Sequence, residues 1–147
     1  MDLDSVPAVA GISLSGNQPY VIADQDNRAL CESIGVLPAG DGSAHPIFFY
    51  IATQVGMSKT VAELCSTCEF DVEDGPMMIA SRATFFSPLM LNQPYMVSGE
   101  ILSLKRKHSR KLGLIDVLEY ELRLSLVDGT PVLSNTNTWV LPRKEFS

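Results

Sequence analysis

His45 is the residue best equipped for chemistry in this 147-residue chain. Imidazole, with an ordinary pKa of about 6.5, gives and takes protons near neutrality. Asp41 lies four positions earlier, near enough in sequence to serve as the carboxylate of a proton-transfer pair. His45 also abuts Pro46, where a run without one charge begins: Pro46-Ile-Phe-Phe-Tyr-Ile-Ala-Thr-Gln-Val-Gly-Met57. The first turn of a helix carries backbone N–H groups without intrahelical partners, and such groups stabilise negative charge. Proline has no N–H, so the amides of Ile47 and Phe48 become the expected oxyanion donors. In the bland alternative, His45 only helps to cap the helix and Asp41 sits in a solvated turn.

A second constellation is electrostatic. Lys105, Arg106, Lys107, Arg110 and Lys111 are five of the eleven basic residues, packed into seven positions. The chain carries a net charge of −6, and without this segment six cations face seventeen acids, a net of −11. Such a balance argues against nucleic acid as the partner. An anionic small ligand suits the patch, since guanidinium forks and ammonium point charges both bind phosphate. A solvated charged hairpin is the plainer alternative.

The cysteines promise less. Cys65 and Cys68 form a C-x-x-C pair, but only Cys31, His45 and His108 remain as scattered further soft donors. A zinc site needs four ligands at suitable spacing, and a thioredoxin-type pair needs a βαβ setting that the pattern lacks. Small buried thiols, and no metal, are the expectation. An odd cysteine count fits a reducing compartment. The acidic first residues give no basic leader region. The charge-free runs at 5–23, 42–58 and 83–99 are each broken by prolines, glycines or amides. A soluble cytoplasmic protein without a membrane segment is expected.

The elements that must position these groups follow from patterning. Residues 1–19 read as an irregular, loosely held lead-in, and 37–45 have loop composition. Asp24 to Ile34 forms a short amphipathic helix stopped by Gly35. Residues 46–57 predict a helix with Pro46 in its first turn, although the aromatics and isoleucines leave a strand as the competing reading. A helix apolar on nearly every side and too short to span a bilayer must be enclosed by protein. Thr60 and Glu63 fit a capping box for a continuation through Leu64. Residues 77–86 and 95–104 are strand candidates. Leu118, Tyr120, Leu122, Leu124 and Leu126 alternate with polar residues, and Asp128-Gly129 turns the chain into 132–141. A buried helix followed by four or more antiparallel strands is α+β. Residues 1–147 form a single domain, a curved antiparallel sheet wrapped around a long central buried helix.

Several phrases carry a resemblance. Ala44-His45-Pro46-Ile47-Phe48 resembles the start of the central helix of the hotdog fold. Phe86-Ser-Pro-Leu-Met-Leu-Asn-Gln-Pro-Tyr95 resembles one of its strand–turn–strand segments. Residues 113–142, ending Asn137-Thr-Trp-Val-Leu-Pro142, resemble its last two strands. Over residues 20–143 the chain resembles the MaoC-like dehydratase and (R)-specific enoyl-CoA hydratase branch. The resemblance implies an acyl-thioester hydro-lyase, an enoyl-CoA hydratase or 3-hydroxyacyl thioester dehydratase, with His45 and Asp41 as its catalytic pair. No cofactor is implied, because the substrate arrives as a coenzyme A or phosphopantetheine thioester. Lys105, Arg106, Arg110 and Lys111 would grip its phosphates or an acidic carrier protein. Hotdog chains pair so that their sheets become continuous, which implies a homodimer or a heterodimer with another hotdog chain.

The family's aspartate is followed by Asn-Pro, with the histidine five residues after it; here the interval is four and Asn-Pro is absent. Related dehydratases contain subunits that lack the dyad and complete a partner's site. A non-catalytic acyl-thioester-binding or stabilising subunit is therefore the alternative expectation. Residues 44–57 contain no acid, which argues against a hydrolase built on a helix carboxylate. Glu63, the nearest acid downstream, reads as a capping residue.

Overall fold

A computed structural model describes residues 5–146. It contains strand β1 (Tyr20–Val21), helices α1 (Asp24–Ser33), α2 (Phe48–Gly56) and α3 (Val61–Thr67), and strands β2 (Met77–Phe85), β3 (Pro94–Ser109), β4 (Gly113–Leu126) and β5 (Pro131–Pro142). The strands form one antiparallel sheet in the order β1-β3-β4-β5-β2, with α2 against its inner face. The α+β architecture is the one the sequence implies. Residues 1–4 of the expected lead-in, and residue 147, lie outside the described residues.

Period-two patterning sets the sheet's two faces. Leu118, Tyr120, Leu122 and Leu124 of β4 are buried, while Glu119, Glu121, Arg123 and Ser125 point outward. Tyr95, Val97 and Ile101 of β3, with Leu133 and Trp139 of β5, complete the inner face. Gly99 stands where β3 and β4 come close, since a Cβ there would lie 2.2 Å from the Glu121 carbonyl oxygen. The hairpin between β4 and β5 turns at Asp128-Gly129, where Gly129 adopts a φ of 95°.

Local helix signals are realised as well. Gly35, with a φ of 74°, ends α1. Thr60 and Glu63 form a reciprocal capping box at the start of α3.

Three expectations change. The lead-in is irregular but not loose: its amides at Gly11, Leu14 and Gly16 donate to Ile101, Gly99 and Val97 of β3 at 2.8, 2.8 and 2.9 Å. Leu14 and Val9 are buried in the core, because the open edge of β3 beyond two-residue β1 needs a partner. The central helix is short, nine residues. It is also only partly enclosed. Phe48, Ala52 and Thr53 are buried, yet Val55 remains 65% exposed. Beside the helix, edge strand β2 leaves Met77, Met78, Ile79 and Phe85 exposed, with Phe86 just beyond. Phe49 of α2 meets Phe85 edge-on at 6.2 Å, so helix and strand touch there, whereas Val55 lies on the other side beside Pro19 and Tyr20.

The basic segment, expected as a loop or strand end, continues β3 as far as Ser109 and turns at residues 110–112.

Candidate functional site

His45 lines a cleft of about 350 Å³ between α1, the loop before α2, and the end of β2. Cys31, Leu37, Phe85, Pro88 and Leu89 supply most of its apolar wall, with Ser43 beside His45. An apolar recess with a few polar side chains is the usual form of a small-molecule site.

Backbone pairing fixes the loop that carries His45. Ala44 N–H donates to the Leu89 carbonyl at 2.7 Å, and Leu91 N–H donates to that of Gly42 at 2.9 Å. Gly42 has a φ of 86°, open to glycine at little cost. Asn27 of α1 adds the decisive hold, its Oδ1 accepting the His45 N–H at 2.8 Å and the more distant Cys31 thiol at 3.9 Å. Asn27 is fully buried, and its Nδ2 has no hydrogen-bond partner among the described residues. An amide one turn before Cys31, on the buried face of the helix, could have been noticed in the sequence, because asparagine is a poor helix former unless its side chain has a partner.

The imidazole is oriented by its own helix. Ile47 N–H donates to His45 Nδ1 at 3.1 Å, so neutral His45 carries its proton on Nε2. This bond also removes the Ile47 amide from the expected oxyanion pair. Phe48 N–H is likewise occupied, donating to the His45 carbonyl at 3.0 Å. The first turn of α2 has closed on itself with i-to-i+3 bonds, including those from Phe49 to Pro46 and Tyr50 to Ile47. Neither predicted donor is free for a substrate oxygen.

Asp41 does not pair with His45. Its Oδ1 accepts both the Ser43 N–H at 2.9 Å and the Ser43 hydroxyl at 2.6 Å. These two bonds hold the exposed carboxyl below the usual aspartate range. The short interval leaves no room for the two side chains to meet once the aspartate closes a turn on Ser43.

The basic residues divide. Arg106 lies on the inner row of β3 and grips Asp116 of β4 through Nε at 2.7 Å and a terminal nitrogen at 3.0 Å. Its side chain is 8% exposed and that of Asp116 is fully buried. Arg143 approaches Asp116 from the other side at 2.8 Å and donates to the carbonyls of Cys68 and Glu69 at the end of α3. Arg106 is thus a member of a buried ion cluster rather than an exposed phosphate contact. Lys105, Arg110 and Lys111 are exposed, as are Lys107 and His108. They lie far from the cleft of their own chain: Phe85 shares a ladder row with Leu133, Leu124 and Val97, whereas Lys105 stands eight residues further along β3. At about 3.3 Å per residue that is roughly 26 Å along the strand.

Cys65 and Cys68 are core thiols. Burial pushes Cys65 up and takes Cys68 to about 12, so neither is a ready nucleophile. Among the described residues no group of three or more His, Cys, Asp or Glu side chains could hold a metal ion, and no helix is long and apolar enough to cross a membrane.

Two other polar features were not foreseen. Gln54 of α2 donates to the Tyr120 hydroxyl at 3.0 Å, and burial raises the pKa of that phenol. Next to it Asn137 donates to Asn135 at 2.8 Å and accepts from Ser81 at 2.6 Å, tying edge strand β2 to β5. A larger groove of about 590 Å³ crosses the outer face beside Ser98, Arg123 and Ser134. Arg123 is paired there with Glu121 at 2.7 Å, and no histidine or cysteine lines that groove.

By sequence the chain matches no family profile and no curated protein. By structure it is similar to a chain of the C-terminally truncated HadBC (3R-hydroxyacyl-ACP dehydratase) complex from Mycobacterium tuberculosis. That match has a TM-score of 0.66 at 14% identity and covers 90% of this chain and 96% of the other. A chain of the ChsH1–ChsH2 complex from the same organism gives 0.64 at 14% identity, covering 89% and 83%. The smu.793 protein of Streptococcus mutans, solved with acetyl CoA bound, gives 0.56 at 9% identity, covering 93% and 86%. These likenesses establish the hotdog fold, and the first two fit the resemblance to MaoC-like dehydratases read from the sequence.

Proposed function

We propose that this chain holds an acyl thioester in the His45 cleft and acts on it as a hydro-lyase of the enoyl-CoA hydratase or 3-hydroxyacyl thioester dehydratase type. The observation that carries this reading is His45 itself, a titratable imidazole in the wall of an apolar recess. Its Nδ1 is engaged and its proton resides on Nε2. Hydration of a trans-2-enoyl thioester requires water to lose a proton as its oxygen joins the β-carbon, and the α-carbon to gain one. Dehydration is the reverse. With its proton on Nε2, His45 would be the acid of the pair, giving that proton to the α-carbon while a carboxylate of a partner chain takes the proton that water loses; return of that proton to Nε2 resets the site. Cys31, Phe85 and Leu89 would shelter the acyl chain, since apolar walls favour alkyl groups by about 0.8 kcal/mol per buried methylene.

The engagement of Asp41 by Ser43 favours a second reading, a non-catalytic acyl-thioester-binding or stabilising subunit whose catalytic carboxylate comes from another hotdog chain. Both readings need a partner chain. The exposed apolar side chains of edge strand β2 support one, as do neighbours solved as the HadBC and ChsH1–ChsH2 complexes.

Purified protein with crotonyl-CoA, followed by loss of enoyl absorbance, separates the readings. Turnover that disappears in His45→Ala supports the hydro-lyase. Binding without turnover supports the subunit reading, and turnover indifferent to His45 excludes the role given to it.

A further inference from the structure

We propose that Asn27 is a positioning residue for His45, holding the peptide from which the imidazole projects so that the ring stays fixed in the wall of the cleft. The inference rests on the catalytic role proposed for His45 and adds the residue outside its loop on which that role depends. Helix α1 has two buried residues, Asn27 and Cys31, one turn apart. Asn27 Oδ1 accepts the His45 N–H at 2.8 Å and faces the Cys31 thiol at 3.9 Å. The orientation of the amide is dictated by this bond, because a backbone N–H can only donate and the carbonyl oxygen is the group that accepts. Nδ2 is thereby left buried, with no partner among the described residues. An apolar side chain at this position would bring no unpaired donor into the interior, and asparagine inside a helix is itself an unfavourable choice. A residue that breaks both local rules marks a position kept for function rather than for stability.

The loop before His45 is pinned as far as Ala44, whose N–H donates to the Leu89 carbonyl at 2.7 Å. The next peptide, between Ala44 and His45, carries the N–H that Asn27 holds. Downstream, the His45 carbonyl accepts from Phe48 at 3.0 Å, and its Nδ1 accepts the Ile47 N–H at 3.1 Å. Those two bonds lie within the first turn of α2 and tie the ring to its own helix. The bond from Asn27 reaches across eighteen residues of sequence and ties it to α1. Helix α1 is a firm place to hold from. It follows Ile22, which is fully buried and whose carbonyl accepts the Asn92 N–H at 2.9 Å, and β1, which pairs with β3 through Tyr20 and Tyr95. Sheet, helix and imidazole are thus joined in one series of bonds. Proton delivery to a carbon depends on such anchoring, since a displacement of about 1 Å costs about a hundredfold in rate. Asn27 acts through His45, while the cleft walls formed by Leu37, Phe85 and Leu89 belong to other segments. Its loss therefore falls on the chemical step more than on ligand binding.

The test compares Asn27→Ala, which removes the acceptor, with Asn27→Asp, which keeps an oxygen at the same place in either protonation state. Turnover of crotonyl-CoA and the nitrogen NMR signals of the His45 ring are measured for wild type and both variants, and thermal melts confirm that each is folded. The proposal expects kcat to fall by about 10- to 100-fold in Asn27→Ala, with KM changed less than about threefold and most of the loss restored in Asn27→Asp. The ring should show one tautomer, with its proton on Nε2, in wild type and Asn27→Asp. In Asn27→Ala it should show the averaged signals of a ring no longer fixed. Wild-type kcat with a single tautomer in Asn27→Ala overturns the proposal, as does a rise in KM alone or an equal loss of kcat in both variants. Should Asn27→Ala fail to fold, hydrogen exchange in the wild type decides. The His45 amide should then exchange as slowly as that of Ala44, and exchange at the rate of an unbonded loop amide overturns the hold. A wild type that does not turn over crotonyl-CoA removes the proposed hydro-lyase, and the ring signals then decide the positioning role by themselves.

Discussion

Replacing Asp116 with alanine should cost more stability than any other single carboxylate removal in this protein. Asp116 is fully buried and accepts from Arg106 at 2.7 and 3.0 Å and from Arg143 at 2.8 Å. The side chains of Arg106 and Arg143 are themselves only 8% and 3% exposed. Without the carboxylate, two guanidiniums remain in a site too dry to hydrate them, and breaking such a buried arrangement costs about 3–5 kcal/mol. Domains of this size have about 5–15 kcal/mol in total. At about 2–4 °C per kcal/mol, the midpoint should fall by roughly 10 °C. Arg106→Met should cost less, about 1–3 kcal/mol, because Asp116 keeps Arg143. Urea unfolding followed by circular dichroism measures both, with an unchanged slope showing that the transition remains comparable. An Asp116→Ala protein within about 1 kcal/mol of wild type would refute the reasoning. Folded Arg106→Met should also retain crotonyl-CoA affinity, which separates its structural role from that of the exposed lysines.

Three further outcomes follow from the geometry. Gly99→Ala should destabilise by about 1–3 kcal/mol, since its Cβ would meet the Glu121 carbonyl oxygen at 2.2 Å; a neutral result in thermal melts would mean that β3 and β4 can part without cost. Native protein should show no rapid reaction of Cys65 or Cys68 with a disulfide reagent at pH 8, because both are buried in the core and burial raises their pKa; a fast reaction at either would contradict the packing of the core. Asp41, Glu63 and Asp128 are each held below their ordinary pKa by hydrogen bonds to their charged forms. Their stabilising contribution is present above an unfolded-state pKa of about 4 and is lost as pH falls through the lower folded values. Carboxyl NMR titration of these residues should give midpoints below those of model peptides, and unshifted midpoints would contradict the capping geometry.

The parts of the fold written in local patterns were legible. Alternation along 118–126 placed β4 and its buried face. The Thr60–Glu63 spacing located a cap, and the uncharged run after Pro46 located the central helix. Long-range pairing was not written locally. The lead-in gains its order from the edge of β3, which no pattern within residues 5–19 records. The helix was expected to be enclosed because it lacks a polar face, and one chain covers only part of it. Under the proposed function, a partner chain would cover the part that one chain leaves bare.

At the site, His45 and its place in front of the helix were readable, but the use of its neighbours was not. Ser43 takes Asp41, and the first turn of α2 consumes the amides of Ile47 and Phe48. Arg106 looked like one member of a surface patch, although its parity with Asp116 held the clue. Asp116 falls on the apolar row of β4, and a carboxylate there requires a cation on the facing strand.

The measurement that bears most directly on this account is a titration of isotope-labelled protein with crotonyl-CoA, followed by amide and imidazole NMR. The account predicts saturable shifts at Ala44, His45, Phe85 and Leu89, with the His45 ring nitrogens among the most perturbed. Shifts confined to the outer groove around Ser98, Arg123 and Ser134, or none at all, would contradict it.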